Sequence, residues 1–489
     1  MNPTENKTVC PNEIDVSCRV PLLALFGGAA LWLVLGLALG IAAMLSFHKP
    51  DMFADCPFLS YGHAQAAAND LLLYGFAIPA ALGVMLWIFS RLSQAPLALP
   101  IVPVVAAHLW HIGVLAGTVA ILIGESTGHP WLEYPRGASV LLFAGFMLIA
   151  VSAVATMGFR ANRELYPSHW FLFAALLWFV WSYGTANLFL VCNHPPRGVV
   201  QSVIGWWLTN NLIFVWLALA GIGIAFYFLP KLAGQPLASS GYALFGFLTL
   251  VFFGTWVGIP PSAPVPAWLP TVSAFGALLS IIPVFALGII AKKTVCGAKV
   301  PCFGGPFCFI RFGVLSFVVS SLLYISEFCP RYSRVLDFTW FNAGVTQWQL
   351  LGFASMILCG AIYEILPRVM AKELPLPKLA KLNFFLFAGG TLLFVIPLLI
   401  GGVAQGKALA NAAVPFADAS AFALKFLRIS TTGQLLVLLG ALCLLLNILV
   451  LTIQWKLGLV RCVIAAVTAP LKNEPSAAAA LQRDEEAKS

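Results

Sequence analysis

This sequence predicts an all-α integral membrane protein, a bundle of twelve transmembrane helices, on three observations. Hydrophobic residues make up 61% of the 489 and charged residues 9%, so too little polar surface exists to cover a water-soluble globule. Apolar runs long enough to cross a bilayer core recur twelve times along the chain. With the N-terminus placed inside, 19 of the 27 Lys and Arg residues fall on the inner side, the bias expected of a cytoplasmic face.

The spans follow in order. The first run, 21–47, comes after the polar opening MNPTENKTVCPNEIDVSCR. It is too long for a signal-peptide core and lacks a small-residue cleavage site, so it is expected to stay and residues 1–20 to form a cytoplasmic segment. Runs at 66–90, 99–124, 138–158, 169–192 and 202–229 make spans two to six. Runs at 240–259, 268–291, 309–327, 343–366, 382–402 and 430–454 make spans seven to twelve. Inner segments carry Arg160, Arg163, Lys292, Lys293, Arg368 and Lys372, and outer ones Lys49, Arg197 and Arg331, which puts both termini in the cytoplasm. The net charge of +9 is mostly this bias and points to no nucleic-acid partner. Residues 21–456 read as one membrane domain. The segment 457–489 ends in LKNEPSAAAALQRDEEAKS, which cannot bury a core and is expected as a partly disordered cytoplasmic tail.

Eleven cysteines do not assemble into a metal pattern. Cys10 and Cys18 are eight apart, Cys296, Cys302 and Cys308 are six apart, and no CxxC occurs. All five belong to expected cytoplasmic segments, where thiols stay reduced, while Cys359 and Cys443 read as small apolar residues within spans.

Four local patterns carry a specific resemblance. Leu132-Glu133-Tyr134-Pro135 closes the outer loop after the third span, and Trp206-Trp207 opens the sixth. The sixth ends in Phe226-Tyr227-Phe228-Leu229-Pro230-Lys231, and Gly402-Val403-Ala404-Gln405-Gly406 follows the eleventh. In this order, over twelve spans and from about Tyr61 to Asn447, the chain resembles subunit I of the heme-copper cytochrome c oxidases, closest to the C-type (cbb-type) catalytic subunit. The resemblance implies a bacterial inner-membrane location, a low-spin heme, a high-spin heme and a copper ion. It also implies oxygen reduction with electrons from cytochrome c, in a complex with c-type cytochromes or other respiratory subunits amid membrane lipid.

Six histidines hold those groups in the family, because neutral imidazole suits both iron and copper. Here, with Trp87 and Arg91 setting the register, Ala68 stands at the low-spin heme position of the second span. Asn210 stands at the first copper position in Trp206-Trp207-Leu208-Thr209-Asn210-Asn211, and Pro260-Pro261 replace a His-His pair after Trp256 and Gly258. Val345 and Gln347 stand where His-x-His would supply the tenth-span heme ligands. In the ninth span, where the family carries a tyrosine and a glutamate, Phe312–Val318 offers neither. No cofactor is therefore expected, and no catalytic residue.

Two of the seven histidines, His108 and His111, lie inside a span. Spaced by three, they share one helix face near mid-bilayer and are candidates for a joint metal or a proton path, against the plainer reading of neutral, hydrogen-bonded imidazoles. His63, His169 and His194 sit near span ends. Asp70, beside the lost ligand position, either meets a partner inside the membrane or marks the outer start of its helix. Three functions follow from the sequence. The first is a non-catalytic paralogue acting as a structural or docking subunit; the others are a working cbb-type oxidase and a proton or small-molecule transporter using Asp70, His108 and His111.

Overall fold

A backbone in hydrocarbon must satisfy its own polar groups, so each apolar run here closes into a helix. The structure is a computed structural model that describes residues 11–160, 164–191, 195–298, 300 and 304–472. Every regular element among these residues is helical. Eleven helices are long and apolar enough to cross a membrane: Asn12–His48, Tyr61–Ser93, Ile101–Leu122, Arg136–Gly158, Pro167–Val191, Val199–Ala233, Trp268–Val295, Pro306–Glu327, Trp340–Met370, Pro377–Leu409 and Phe416–Ile464. The shorter apolar helix Ser240–Gly254 takes the seventh place, completing the twelve-element order. It stops early because the chain turns extended toward Gly258, at φ +123°, and then meets Pro260 and Pro261, which donate no backbone bond.

The expected ends differ in two places. The first helix already begins at Pro11, and the last continues from Phe416 to Lys472, so residues 457–472 of the expected tail are helical. Helix propagation past an anchored span adds one bond per residue fixed, which composition alone does not reveal. Residues 1–10 and 473–489, with Arg163, His194 and Cys302, lie outside the described residues. Cys308 is disulfide-bonded, contrary to the expectation of reduced thiols, while Cys18, Cys296, Cys359 and Cys443 are free. Spacing along the chain does not fix separation in space, so the six-residue intervals gave no warning.

Three helices form the centre. The apolar windows of the second and sixth spans are wholly buried and that of the tenth is 89% buried, whereas the others are covered on about half of their surface or less. Each central helix is interrupted by a π-helical stretch, Leu71–Ala77, Asn210–Trp216 and Trp348–Ser355, and the third of these touches the other two.

The sequence landmarks are packing devices. Asp15 of the first span, buried, accepts from Trp87 Nε1 at 2.8 Å and pairs with Arg91 at 2.6 Å. Phe228 stacks on Trp87 with ring centroids 5.9 Å apart, and Lys231 Nζ lies 3.5 Å from the centre of Tyr227. Thus the Phe226–Lys231 motif seats the sixth span on Trp87 of the second, which is itself tied to Asp15 of the first. In the Gly402–Gly406 motif, a methyl added at Gly402 would strike Phe341 N and one added at Gly406 would strike Val335 O, while Gln405 Oε1 accepts from Trp340 N at 3.2 Å. The glycines let the eleventh span touch the backbone that enters the tenth. Replacing Gly402 or Gly406 by Ala is expected to destabilise the bundle by about 1–3 kcal/mol through overpacking. The check is a lowered melting temperature in detergent, with Gly389→Ala, which meets open space, as the unaffected control.

Candidate functional site

Ala68 and Gln347 come together. They line one cavity of 280 Å³ between the second and tenth spans, with Gln65, Asn69, Asn342 and Gln434. Asn69 Oδ1 accepts from Gln65 Nε2 at 3.0 Å and from Gln347 Nε2 at 3.3 Å, tying the two central helices by amides. The remaining oxygens of Gln65, Gln347, Asn342 and Gln434 have no partner. Four orphan acceptors around one chamber call for water or another donor, since each left dry costs about 1–3 kcal/mol.

A second cavity of 290 Å³ lies on the other side of the tenth span, lined by Trp206, Thr209, Pro260, Tyr324, Glu327 and Asp337; Asn342 and Thr346 line both chambers. Between these two, Val345 is fully buried. Asn210 is buried and closed off: its Nδ2 donates to Gly254 O at 2.9 Å and its Oδ1 accepts from Tyr324 Oη at 3.1 Å. Gly258 makes this closure possible, because a Cβ there would lie 2.8 Å from Asn210 Cβ. Pro260 and Pro261 are half-buried. Tyr324 and Glu327 lie further along the ninth helix than Phe312–Val318, where the sequence comparison offered nothing. Asp337 accepts from Ser262 Oγ at 2.6 Å, and burial holds its carboxyl above the ordinary carboxylate range.

Asp70 lies inside the protein. It is fully buried at the last residue of the helix before Leu71–Ala77, both of its carboxyl oxygens lack a hydrogen-bond partner, and the neighbouring charge it feels is Glu133 of the outer loop motif. Burial of two neighbouring carboxyls disfavours ionising both at once. Burial pushes the Glu133 carboxyl above its ordinary value. Tyrosines wall the site: Tyr74 lies 5.6 Å from both Tyr134 and Tyr183 and donates to Trp131 O at 2.6 Å, and Tyr134 Oη lies 3.3 Å from Thr118 Oγ1. The reading in which Asp70 lies at an exposed helix start is excluded.

His108 and His111 part company. His111 is half-buried between the third and first spans, accepting at Nδ1 from Trp32 Nε1 at 3.1 Å and donating from Nε2 to Ala24 O at 3.2 Å, as a neutral imidazole with both nitrogens used. Gly28 leaves room for its ring. His108 is exposed on the outside of the bundle, Nδ1 2.7 Å from its own helix at Val104 O. His169, near a span end, is buried. No group of three or more His, Cys, Asp or Glu able to hold a metal occurs among the described residues.

With this geometry stand the relatives. The sequence pattern of the family described as "Cytochrome C and Quinol oxidase polypeptide I" matches residues 20–443. The chain belongs to the heme-copper oxidase subunit I family. It is 22% identical over 391 residues to the "Cbb3-type cytochrome c oxidase subunit CcoN1" of Stutzerimonas stutzeri, covering 77% of this chain and 81% of that one. It is 23% identical over 391 residues to a "Cytochrome c oxidase subunit 1 homolog" of Azorhizobium caulinodans, covering 77% and 71%. A heme-copper terminal oxidase dimer solved by cryo-EM superposes with a TM-score of 0.72 at 15% identity, over 89% of this chain and 84% of that one, a likeness of fold. Within the family the chain is most like the cbb3 type.

The family normally binds heme and copper, which sets a test for the residues present. A low-spin heme in this family needs imidazoles on both faces of the iron. The 280 Å³ chamber instead offers a methyl, amides, the Tyr61 phenol and the Met44 thioether, and among the described residues no histidine lines either chamber. Proline at 260 and 261 has no side-chain donor. These residues do not fit the family's metals.

Sequence reasoning missed the three π-helical stretches and the Asp70–Glu133 pair. The stretches leave no periodic signal, because helices that are apolar all round look the same with one residue more per turn. Glu133 was visible as a motif residue, but nothing local pointed it at Asp70. Its raised value gives a pH dependence. The native state keeps its proton into a range where the unfolded chain has released it, so stability present below the ordinary carboxylate value is lost as pH rises through the native one. Melting temperature is expected to fall across that window in the wild type and to flatten in Glu133→Gln.

Proposed function

We propose that this subunit I homologue is a non-catalytic scaffold, a docking subunit for c-type cytochromes or other subunits of a respiratory electron-transfer complex. It is read as a single membrane domain, residues 21–456, in a bacterial inner membrane with both termini cytoplasmic; the placement of 19 of 27 basic residues on one side supports that orientation. The observation that carries the proposal is the donor set of the paired chambers: Ala68, Asn69, Gln347, Asn342 and Pro260 line positions flanking the tenth span, with Asn210 sealed against Gly254 and Tyr324. Amide oxygens and methyls do not hold heme iron or copper in the manner of neutral imidazole. The packing landmarks remain in place, which supports a role resting on shape.

One observation favours a second reading, a proton or small-solute path: the Asp70–Glu133 pair and a chamber with four unpartnered amide oxygens lie at the same end of the second span. Asp70→Asn in proteoliposomes would then lower proton flux, and unchanged flux overturns that reading.

The scaffold proposal is tested on the purified, full-length protein by pyridine hemochrome spectra with iron and copper quantified. Substoichiometric heme and copper, together with co-purified heme-bearing partners, is the expected result. One heme or more per chain, with the spectrum of a six-coordinate iron, overturns it.

A further inference from the structure

A cleft of 620 Å³ opens on the membrane-facing side of the bundle between the eighth and ninth spans. We propose that it binds one anionic phospholipid, with Lys292 and Arg311 taking the phosphate and the groove between the helices taking the acyl chains.

The length of the cleft selects a lipid. Its lining runs from Phe285 to Val295 on the eighth span and from Cys308 to Val318 on the ninth. At a rise of about 1.5 Å per residue either stretch is about 15 Å long, half of a hydrocarbon core of about 30 Å. Within this stretch the two helices close together at the cleft's floor, since a Cβ on Gly288 would lie 2.7 Å from Val318 Cγ2. A spanning helix from a partner needs the full thickness, whereas a lipid occupies one leaflet.

Charge selects the headgroup. Lys292 stands in the last turn of its helix and Arg311 near the start of the next, so the antiparallel pair brings both cations to the same end. Both are exposed, and neither has an ion-pair partner among the described residues. Among the described residues no acidic side chain lines the cleft, and Lys293 follows Lys292 in the chain as a further exposed cation. Basic pockets between helices at a membrane face are anionic-lipid sites, and long cationic side chains reach from apolar walls to headgroup level. Phe285, Ile289 and Leu315, each about half exposed or more, supply the apolar wall.

The test uses the intact protein, delipidated in detergent, with phosphatidylglycerol, phosphatidylcholine or inorganic phosphate added, and native mass spectrometry to count bound lipid. One phosphatidylglycerol is expected to be retained in preference to phosphatidylcholine by roughly thirtyfold, from two cations near the headgroup. Lys292→Gln with Arg311→Gln abolishes the preference, and Leu315→Trp, which fills the groove with charges intact, weakens both lipids. Unchanged melting temperature in lipid-free detergent establishes that the variants fold. Equal retention of the two lipids overturns the proposal, as does a preference that survives loss of both cations. So does inorganic phosphate displacing the lipid at millimolar concentration, which would assign the cations to a free anion.

Discussion

The fold depends on three helices that see protein on every side. The second, sixth and tenth spans are enclosed by the other nine, and this enclosure sets what their sequences tolerate. A lipid-facing helix carrying Asp70, Asn69, Asn210, Asn211, Gln347 and Gln349 would expose amides and a carboxyl to hydrocarbon, at several kcal/mol for each unsatisfied group. Enclosed helices meet one another instead. Gln347 reaches Asn69 across the second and tenth spans, and Gln349 accepts from Ser320 at 2.5 Å across the tenth and ninth. Polar residues that would expel a peripheral helix from the membrane here join helices.

The central helices treat the positions that the sequence resemblance matched to the family's ligands in two different ways. At Asn210 the space is closed: the amide is anchored at both ends, Gly258 presses against its Cβ, and Phe214 stacks on Tyr324. At Ala68 and Gln347 the space stays open, because a methyl fills little and the neighbouring amides satisfy only one end of each other. The π-helical stretches accompany both. They begin at Asn210, one residue after Gln347 and three after Ala68, so each central helix is wide-turned just beside the position in question. Such insertions are frequent at functional sites.

The number and order of the spans were legible because hydrocarbon enforces a length of apolar chain, and the landmarks were legible because they are short and local. What escaped the sequence was long-range. Asp70 and Glu133 are 63 residues apart in the chain and meet only through the loop that returns after the third span. His108 and His111 share a helix face at a spacing of three, yet a rotation of one side chain's width separates a ring wedged against Trp32 from one outside the bundle. The helical continuation to Lys472 was hidden because composition reports burial, and that segment is held by its own backbone beyond the last span.

Those same landmarks explain how a chain at low identity keeps a family's shape. Trp87 and Arg91 bind the second span to Asp15 of the first, Phe228 stacks the sixth span on Trp87, and Gly402 and Gly406 allow the eleventh to touch the tenth. None of these contacts involves the positions held by Ala68, Asn210, Pro260, Pro261, Val345 or Gln347. The contacts that hold the bundle together are therefore separable from those positions. An identity of 22% over 391 residues and a shared fold therefore do not by themselves carry the chemistry of those positions.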